Sequence, residues 1–365
     1  MSRYNRHIIL SEIGQKGQDK ISKAKVLVIG AGGLGCPVLQ YLAAAGVGTL
    51  GIIDFDVVEL SNLQRQVLFG TSSLGENKAI AAKKRLEDLN DSISIIAYAE
   101  KLTYQNALKL FKAYDIIVDG SDNFETRYLV NDASVITNKS LVFGAIYKFE
   151  GQVSVFNYNN GPSYRCLFPN PPQKDTVPNC SDIGVLGVLP GIIGSMQANE
   201  VLKIILGIGT TLSGKLLCYN ALTSNTTNLK INKSEEAINS VLKDINNFHK
   251  KQLNNSCEVE IIDVSIKDML SNKNIQFIDV REPHEHPKVN ELQVTYIPLS
   301  ILENNIDQVD KSKDVALFCQ SGIRSKKAVS ILKKLNIDNC FSIKEGASNI
   351  INHIKEQHKI MSNDR

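Results

Sequence analysis

The ordered series KVLVIGAGGLG (25–35), TLGIIDFD (49–56) and SNLQRQ (61–66) constrains this chain more than any other feature. Lys25–Ile29 is a short apolar run that predicts a buried strand. It leads into Gly30, Gly32, Gly33 and Gly35, where a backbone without side chains can approach a phosphate and enter a helix N-terminus. A second apolar run, Leu50–Ile53, ends on Asp54, at about the distance where the acid of a nucleotide-binding βαβ unit meets a ribose hydroxyl. To this point the pattern fits any such unit. Asp56, Asn62, Arg65 and Gln66 then crowd polar and cationic groups just past the second strand, where a dinucleotide enzyme has no need of them.

With 365 residues and 43% hydrophobic content, two domains with full cores are expected. Residues 1–231 alternate strand-like runs with helical patterns, the signature of a mostly parallel sheet. Strand candidates are 25–30, 49–54, 93–97, 115–119 and 139–143. Runs at 151–156, 215–220 and 226–231 follow, and the last two have no long helix between them, so the sheet should end antiparallel. Residues 232–257 read as a linker with one amphipathic helix, since Ile238, Val241, Leu242, Ile245 and Phe248 fall at helical spacing. From residue 258 the runs IIDV, QFIDVRE and VALFCQSG and the helical RSKKAVSILKKL predict a smaller α/β domain over 258–365. Net charge is +3, too small a field to argue for nucleic acid. The opening MSRYNRHIIL is too polar for a signal peptide, and the longest apolar stretch, Val185–Met196, is too short and interrupted for a membrane span. Seven cysteines lack disulfide-framework spacing. A soluble cytoplasmic protein with free thiols is expected, with neither nucleic acid nor membrane as partner.

Gly209–Leu216 (GTTLSGKL) has the glycine and lysine spacing of a phosphate loop. Leu216 replaces the hydroxyl residue that would hold magnesium, and a strand follows, so a turn is expected. An NAD-dependent oxidoreductase explains the glycines and Asp54 but leaves Arg65, Lys78 and Asp122 without roles. Lys78, in GENKA (75–79), opens a predicted helix, and Asp122–Asn123 follow the run Asp115–Val118 at the C-terminal edge of the sheet, where ligands collect. Cleaving ATP between its α and β phosphates develops negative charge. Cations such as Arg65 and Lys78 can stabilise that charge, and a carboxylate such as Asp122 can hold Mg²⁺.

Here the chain resembles the MoeB/ThiF family, relatives of the ubiquitin-activating enzymes. The resemblance covers essentially all of 1–231 and rests on RYNRHIIL (3–10), GAGGLG (30–35), DFDVVELSNLQRQVLF (54–69), GENKA (75–79), DGSDNFETRYLVND (119–132) and GVLGVLPGIIGSMQANEVLK (184–203). It implies ATP-dependent adenylation of the C-terminal glycine of a ubiquitin-like sulfur carrier protein ending in Gly-Gly. Asp54 would hold the ribose, Asn62, Arg65, Gln66 and Lys78 the phosphates, and Asp122 the magnesium, with Asn123 beside it. Gly30, Gly32, Gly33, Gly35, Asp56, Ser61, Leu63 and Gln64 would complete the nucleotide-lining set. Arg6 is similar to an arginine that reaches into the neighbouring protomer's site, implying a homodimer. The glycine-rich helix near 190–206 would then pack at or near the subunit interface, or be a buried core helix. Cys180, in PPQKDTVPNCSDIG (171–184), would be a thiol that attacks an acyl-adenylate or pairs with a sulfur on the carrier, or else an inert exposed cysteine. Many relatives bind structural zinc through two CxxC pairs; here position 163 is Ser163, only Cys166 remains, and no second pair follows, so no zinc site is expected.

The segment VALFCQSGIRSKK (315–327) places Cys319 at the end of a strand and Arg324 at the start of a helix. Backbone N–H groups and the helix N-terminus then face the sulfur, and that environment, with Arg324 nearby, lowers a thiol pKa and stabilises an anionic persulfide. Phosphatase loops are similar but longer between the two residues. With FIDVREPHEH (277–286) upstream, residues 258–350 resemble a rhodanese sulfurtransferase domain. By that resemblance Cys319 carries the persulfide, and Asp279 and Arg281 brace its loop. The glycine-rich segment usual in that family is here HPKVNELQVTYIP (286–298), and its later glycine pair is reduced to Gly346. His284 and His286 read as solvated loop residues. The fusion resembles two-domain sulfur-carrier activators of molybdopterin, thiamine and thiolated-tRNA pathways, served by a sulfur donor such as a cysteine desulfurase. The expected fold is α/β: a Rossmann-like, doubly wound, mostly parallel sheet with an antiparallel end, plus a smaller α/β rhodanese-like domain. The alternative is an adaptor whose altered rhodanese module only docks the carrier.

Overall fold

The structure, a computed structural model, describes residues 3–172, 184–251, 261–272 and 274–363. The chain divides into two units, Met1–Leu253 and Asn254–Arg365.

Eight strands form the sheet of the first unit: β1 (Lys25–Ile29), β2 (Thr49–Ile53), β3 (Ser94–Tyr98), β4 (Ile116–Asp119), β5 (Ser140–Tyr147), β6 (Glu150–Phe156), β7 (Lys215–Asn220) and β8 (Thr226–Lys230). Their order is β3-β2-β1-β4-β5-β6-β7-β8. Pairing is parallel from β3 to β5 and antiparallel from β5 to β8. The apolar runs of β1, β2 and β4 have no polar alternation because helices cover both of their faces. Val26 and Val28 enter the core cluster under the helices Gly35–Ala45, Lys78–Leu89 and Val188–Leu206, while Leu27 and Ile29 enter the one under Ala107–Lys112 and Phe124–Thr137. β5 runs on to Tyr147, past the expected end at 143, because Leu141–Tyr147 pairs with β6 across the Lys148–Phe149 turn.

Chain order reverses between β1 and β4. The first three strands build outward on one side, and the chain then crosses back to add β4 and β5. Such a switch point opens a crevice at the C-terminal strand ends. Gly30, at φ +88°, makes the turn out of β1. The helix Gly35–Ala45 begins so close beneath it that a Cβ on Gly35 would lie 1.9 Å from the Gly30 carbonyl oxygen.

The segment expected as a linker begins with the helix Glu235–Lys243, capped by Ser234, and a 3₁₀ turn, Ile245–Lys250. Phe248 is buried edge-on against Tyr104, which seats this segment on the first unit.

The second unit is a five-stranded, all-parallel sheet of β9 (Asp263–Val264), β10 (Ile275–Asp279), β11 (Val294–Tyr296), β12 (Asp314–Phe318) and β13 (Cys340–Ile343), in the order β11-β10-β12-β13-β9. Val315 and Leu317 fill one core cluster, Ala316 and Phe318 the other. Among the described residues no helix is long and apolar enough to cross a membrane.

Candidate active sites

In the first unit, three loops meet at the C-terminal edge of the sheet. The first is the glycine loop, which Asp54 ties down: its Oδ2 accepts from the Ala31 N–H (2.7 Å) and its Oδ1 from the Asp56 N–H (2.9 Å). Burial pushes the Asp54 carboxyl above the usual range. The second is the turn through Ser61–Gln66. Its Asn62 is buried and accepts from the Glu59 N–H, and its Arg65 donates to the Ser61 carbonyl (3.0 Å). A Cβ on Gly33 would lie 3.7 Å from Arg65 Cγ, and one on Gly32 3.8 Å from Gln66 Nε2, so both side chains lie along the glycine loop. The Gln66 carbonyl oxygen, Oε1, is buried with no protein partner.

The third loop carries Ser121, Asp122 and Asn123. Asp119, fully buried at the end of β4, accepts from the Ser121 N–H (2.9 Å) and hydroxyl (2.6 Å), and burial pushes its carboxyl up. Asn123 caps the helix Phe124–Thr137 by accepting from the Thr126 N–H. Asp122 stands exposed between them. A Cβ on Gly30 would lie 3.7 Å from the Ser121 nitrogen, so this loop runs beside the first.

Lys78 is nearly buried, and its Nζ lies 3.0 Å from Asp56 Oδ2. Asn77 sets that position. Its Oδ1 accepts from the Ala79 and Ile80 N–H groups, starting the helix, and its Nδ2 donates to the carbonyls of Asp54 and Asp56. Cys36 lies inside this cluster but is inert, its thiol pushed up to about 12 by burial.

Arg6 is not brought here within one chain. It is exposed on the short helix Asn5–Ile8, which Tyr4 anchors against Asn90 and Ser92, just before β3. That is the N-terminal edge of the parallel strands, opposite the glycine loop. Cys180 lies outside the described residues. Cys166 accepts from the Ser163 and Ser234 N–H groups, both at 3.3 Å. One thiol with two serines does not supply the four soft ligands of a tetrahedral zinc site. No group of three or more His, Cys, Asp or Glu side chains among the described residues is arranged to hold a metal ion.

In the second unit, Cys319 follows β12 and is 1% exposed. Its Sγ accepts the Gly322 N–H at 3.1 Å, and Gly322 takes φ +82° to turn that group inward. Gly346 is the position where a Cβ would strike the Gln320 carbonyl, at 2.1 Å, so the glycine kept from the usual pair is the one the Cys319 loop rests on. Arg281 is buried and paired with Asp279 through Nε and Nη2, and its Nη1 reaches Gln320 Oε1 at 3.2 Å. Arg324 forks onto Glu285 through Nη1 (2.5 Å) and Nη2 (2.6 Å). These bonds hold the Glu285 carboxyl down at about 2.

The ThiF family model matches residues 4–240. The chain belongs to the ThiF family. A rhodanese-like domain matches residues 263–353. Sulfur carrier protein adenylyltransferase of Thermus thermophilus is 52% identical over 239 residues, covering 64% of this chain and 88% of that protein. Adenylyltransferase and sulfurtransferase MOCS3 of Xenopus laevis is 43% identical over 365 residues, covering 94% and 80%. The crystal structure of E. coli MccB with MccA-N7isoASN shares the fold, at a TM-score of 0.58 and 24% identity over 64% of this chain and 72% of that one. This ThiF-family protein is therefore an adenylyltransferase joined to a sulfurtransferase domain, and the oxidoreductase alternative falls away.

Three residues of this ThiF-family chain that sequence reading passed over do positional work. Asn77 places Lys78, and Asp119 shapes the loop that carries Asp122. Glu285 occupies Arg324. The first could have been found as a cap residue before the predicted helix. Asp119 could have been found as a strand-end acid two residues before a serine, a local turn pattern. Glu285 carries no signal without Arg324, 39 positions away.

Proposed function

We propose that this chain adenylates the C-terminal glycine of a ubiquitin-like sulfur carrier with ATP and then converts the acyl-adenylate to a thiocarboxylate with sulfur carried on Cys319. The reading is supported above all by the meeting of the glycine loop, the Ser61–Gln66 turn and the Asp122 loop at one sheet edge. The carrier's carboxylate oxygen attacks the α-phosphorus, and the bond to pyrophosphate breaks. Arg65 and Lys78 hold the charge that develops on the phosphates, with Lys78 exchanging Asp56 for them. Magnesium that accompanies ATP needs few protein ligands, since phosphates and water supply the rest; exposed Asp122 suits that role. The outer sulfur of the Cys319 persulfide then attacks the acyl carbon and AMP leaves. A second thiol, for which Cys180 is the candidate, cleaves the S–S bond and releases the thiocarboxylate; a cellular dithiol reduces the resulting disulfide.

In this reading residues 1–231 form the adenylating domain, 232–257 the linker and 258–365 the rhodanese-like domain. Arg6 enters a neighbouring protomer's site in a cytoplasmic homodimer, and a cysteine desulfurase is the class of upstream donor. The test is carrier-dependent ATP–pyrophosphate exchange. Arg65→Ala and Asp122→Ala should each lose at least about a hundredfold in rate. Exchange persisting in Asp122→Ala would remove that carboxylate from the mechanism.

A further inference from the structure

Two guanidiniums flank the Cys319 loop, and a carboxylate forks onto each. Arg281 is paired with Asp279, both fully withdrawn from solvent at the side chain. Arg324 gives both terminal nitrogens to Glu285, which the Glu282 N–H also holds, by a 2.8 Å bond to Oε1. The loop therefore offers an incoming sulfur donor backbone N–H groups and a helix N-terminus, but each flanking cation is already neutralised.

This matters because sulfur donors differ in the charge they leave behind. When the Cys319 thiolate attacks the outer sulfur of thiosulfate, the S–S bond breaks and sulfite departs with two negative charges. When it attacks the outer sulfur of a persulfide, the inner sulfur departs as a thiolate with one charge and takes up a proton. A dianion needs an uncompensated cation beside the leaving group. A thiolate does not.

Resting on the sulfur-transfer reading of Cys319, we infer that Glu285 is a specificity-determining residue that disfavours dianionic inorganic donors and reserves Cys319 for the persulfide of a thiol. The same neutralisation leaves the Cys319 persulfide anion less tightly held and a better nucleophile for the next transfer.

The experiment uses the full chain and the isosteric Glu285→Gln, with thiosulfate or cysteine persulfide as donor and cyanide as acceptor, each at low and high salt. In Glu285→Gln, kcat/KM for thiosulfate should rise about tenfold, chiefly through KM, and the gain should shrink at high salt. The value for cysteine persulfide should change less than about twofold, because that donor releases a single charge. Equal changes for both donors, or no gain with thiosulfate, would overturn the inference. The wild-type chain gives a reading independent of the variant's folding: its thiosulfate KM should depend weakly on salt, and a steep dependence would count against a neutralised site. Mass spectrometry separates the two levels. No added sulfur on wild-type Cys319 from either donor would overturn the sulfur-transfer reading together with this inference, whereas sulfur from both with no discrimination overturns the inference alone.

Discussion

Asn77 illustrates how much one side chain can organise. Its oxygen accepts from two helix N–H groups while its nitrogen donates to two carbonyls of the Asp54–Asp56 turn, so all of its polar capacity is used to aim the next residue, Lys78. Glu285 has a comparable place in the second unit, and its ionisation gives a stability prediction. The fork from Arg324 holds its folded pKa at about 2, below the ordinary glutamate value of 4.5. A depressed carboxyl pKa contributes stability that is complete above the unfolded value and lost as pH falls through the folded one. The second unit should therefore weaken as pH drops from 4.5 toward about 2. Glu285→Gln should flatten that slope in denaturant unfolding of the full chain at a series of pH values. Parallel slopes in the two proteins would show that the pair contributes nothing.

At the scale of elements, the glycine loop is a packing solution. Gly35 begins its helix against the Gly30 carbonyl, and both partners are backbone, which cannot rotate aside. Gly35→Ala should thus push the helix off β1, at a cost of about 1–3 kcal/mol, and widen the turn after β1. Thermal unfolding and ATP titration would measure the two effects; unchanged ATP affinity would show that the close approach serves packing alone. The helix Val188–Leu206 offers a second case. It reads as a glycine-rich apolar run, yet its Gln197 is fully buried and donates to the Asp119 carbonyl (2.8 Å), bracing the strand end that carries the Asp122 loop. A Cβ on Gly144 would meet that glutamine side chain at 2.4 Å, so the helix and β5 are matched at this point.

At the scale of the molecule, two sheets of different construction serve two chemistries. The larger places its three loops at a switch point, where the strand order itself opens a crevice. The smaller centres on one loop, between β12 and the helix Ile323–Lys334. Cys319→Ala changes a small buried side chain in the second core and nothing in the first. It should leave carrier-dependent ATP–pyrophosphate exchange within about twofold of wild type while abolishing thiocarboxylate formation, read by mass spectrometry of the carrier. Exchange lost along with sulfur transfer would mean that the two steps are not separable.

The α/β class, the parallel core strands and the antiparallel end of the larger sheet were all legible in the sequence. They follow from local rules: apolar runs of strand length, glycines at a turn, and helical spacing between them. The two candidate loops stood out for the same reason, since GAGGLG and CQSGIR each lie within a few consecutive residues. Contacts between residues far apart in the chain were not. Gln197 reaching the end of β4 and Glu285 closing on Arg324 across 39 positions exist only once strands have paired and brought their ends together. Hydrogen bonding of this kind depends on distance and angle in space, and neither is written in the order of residues.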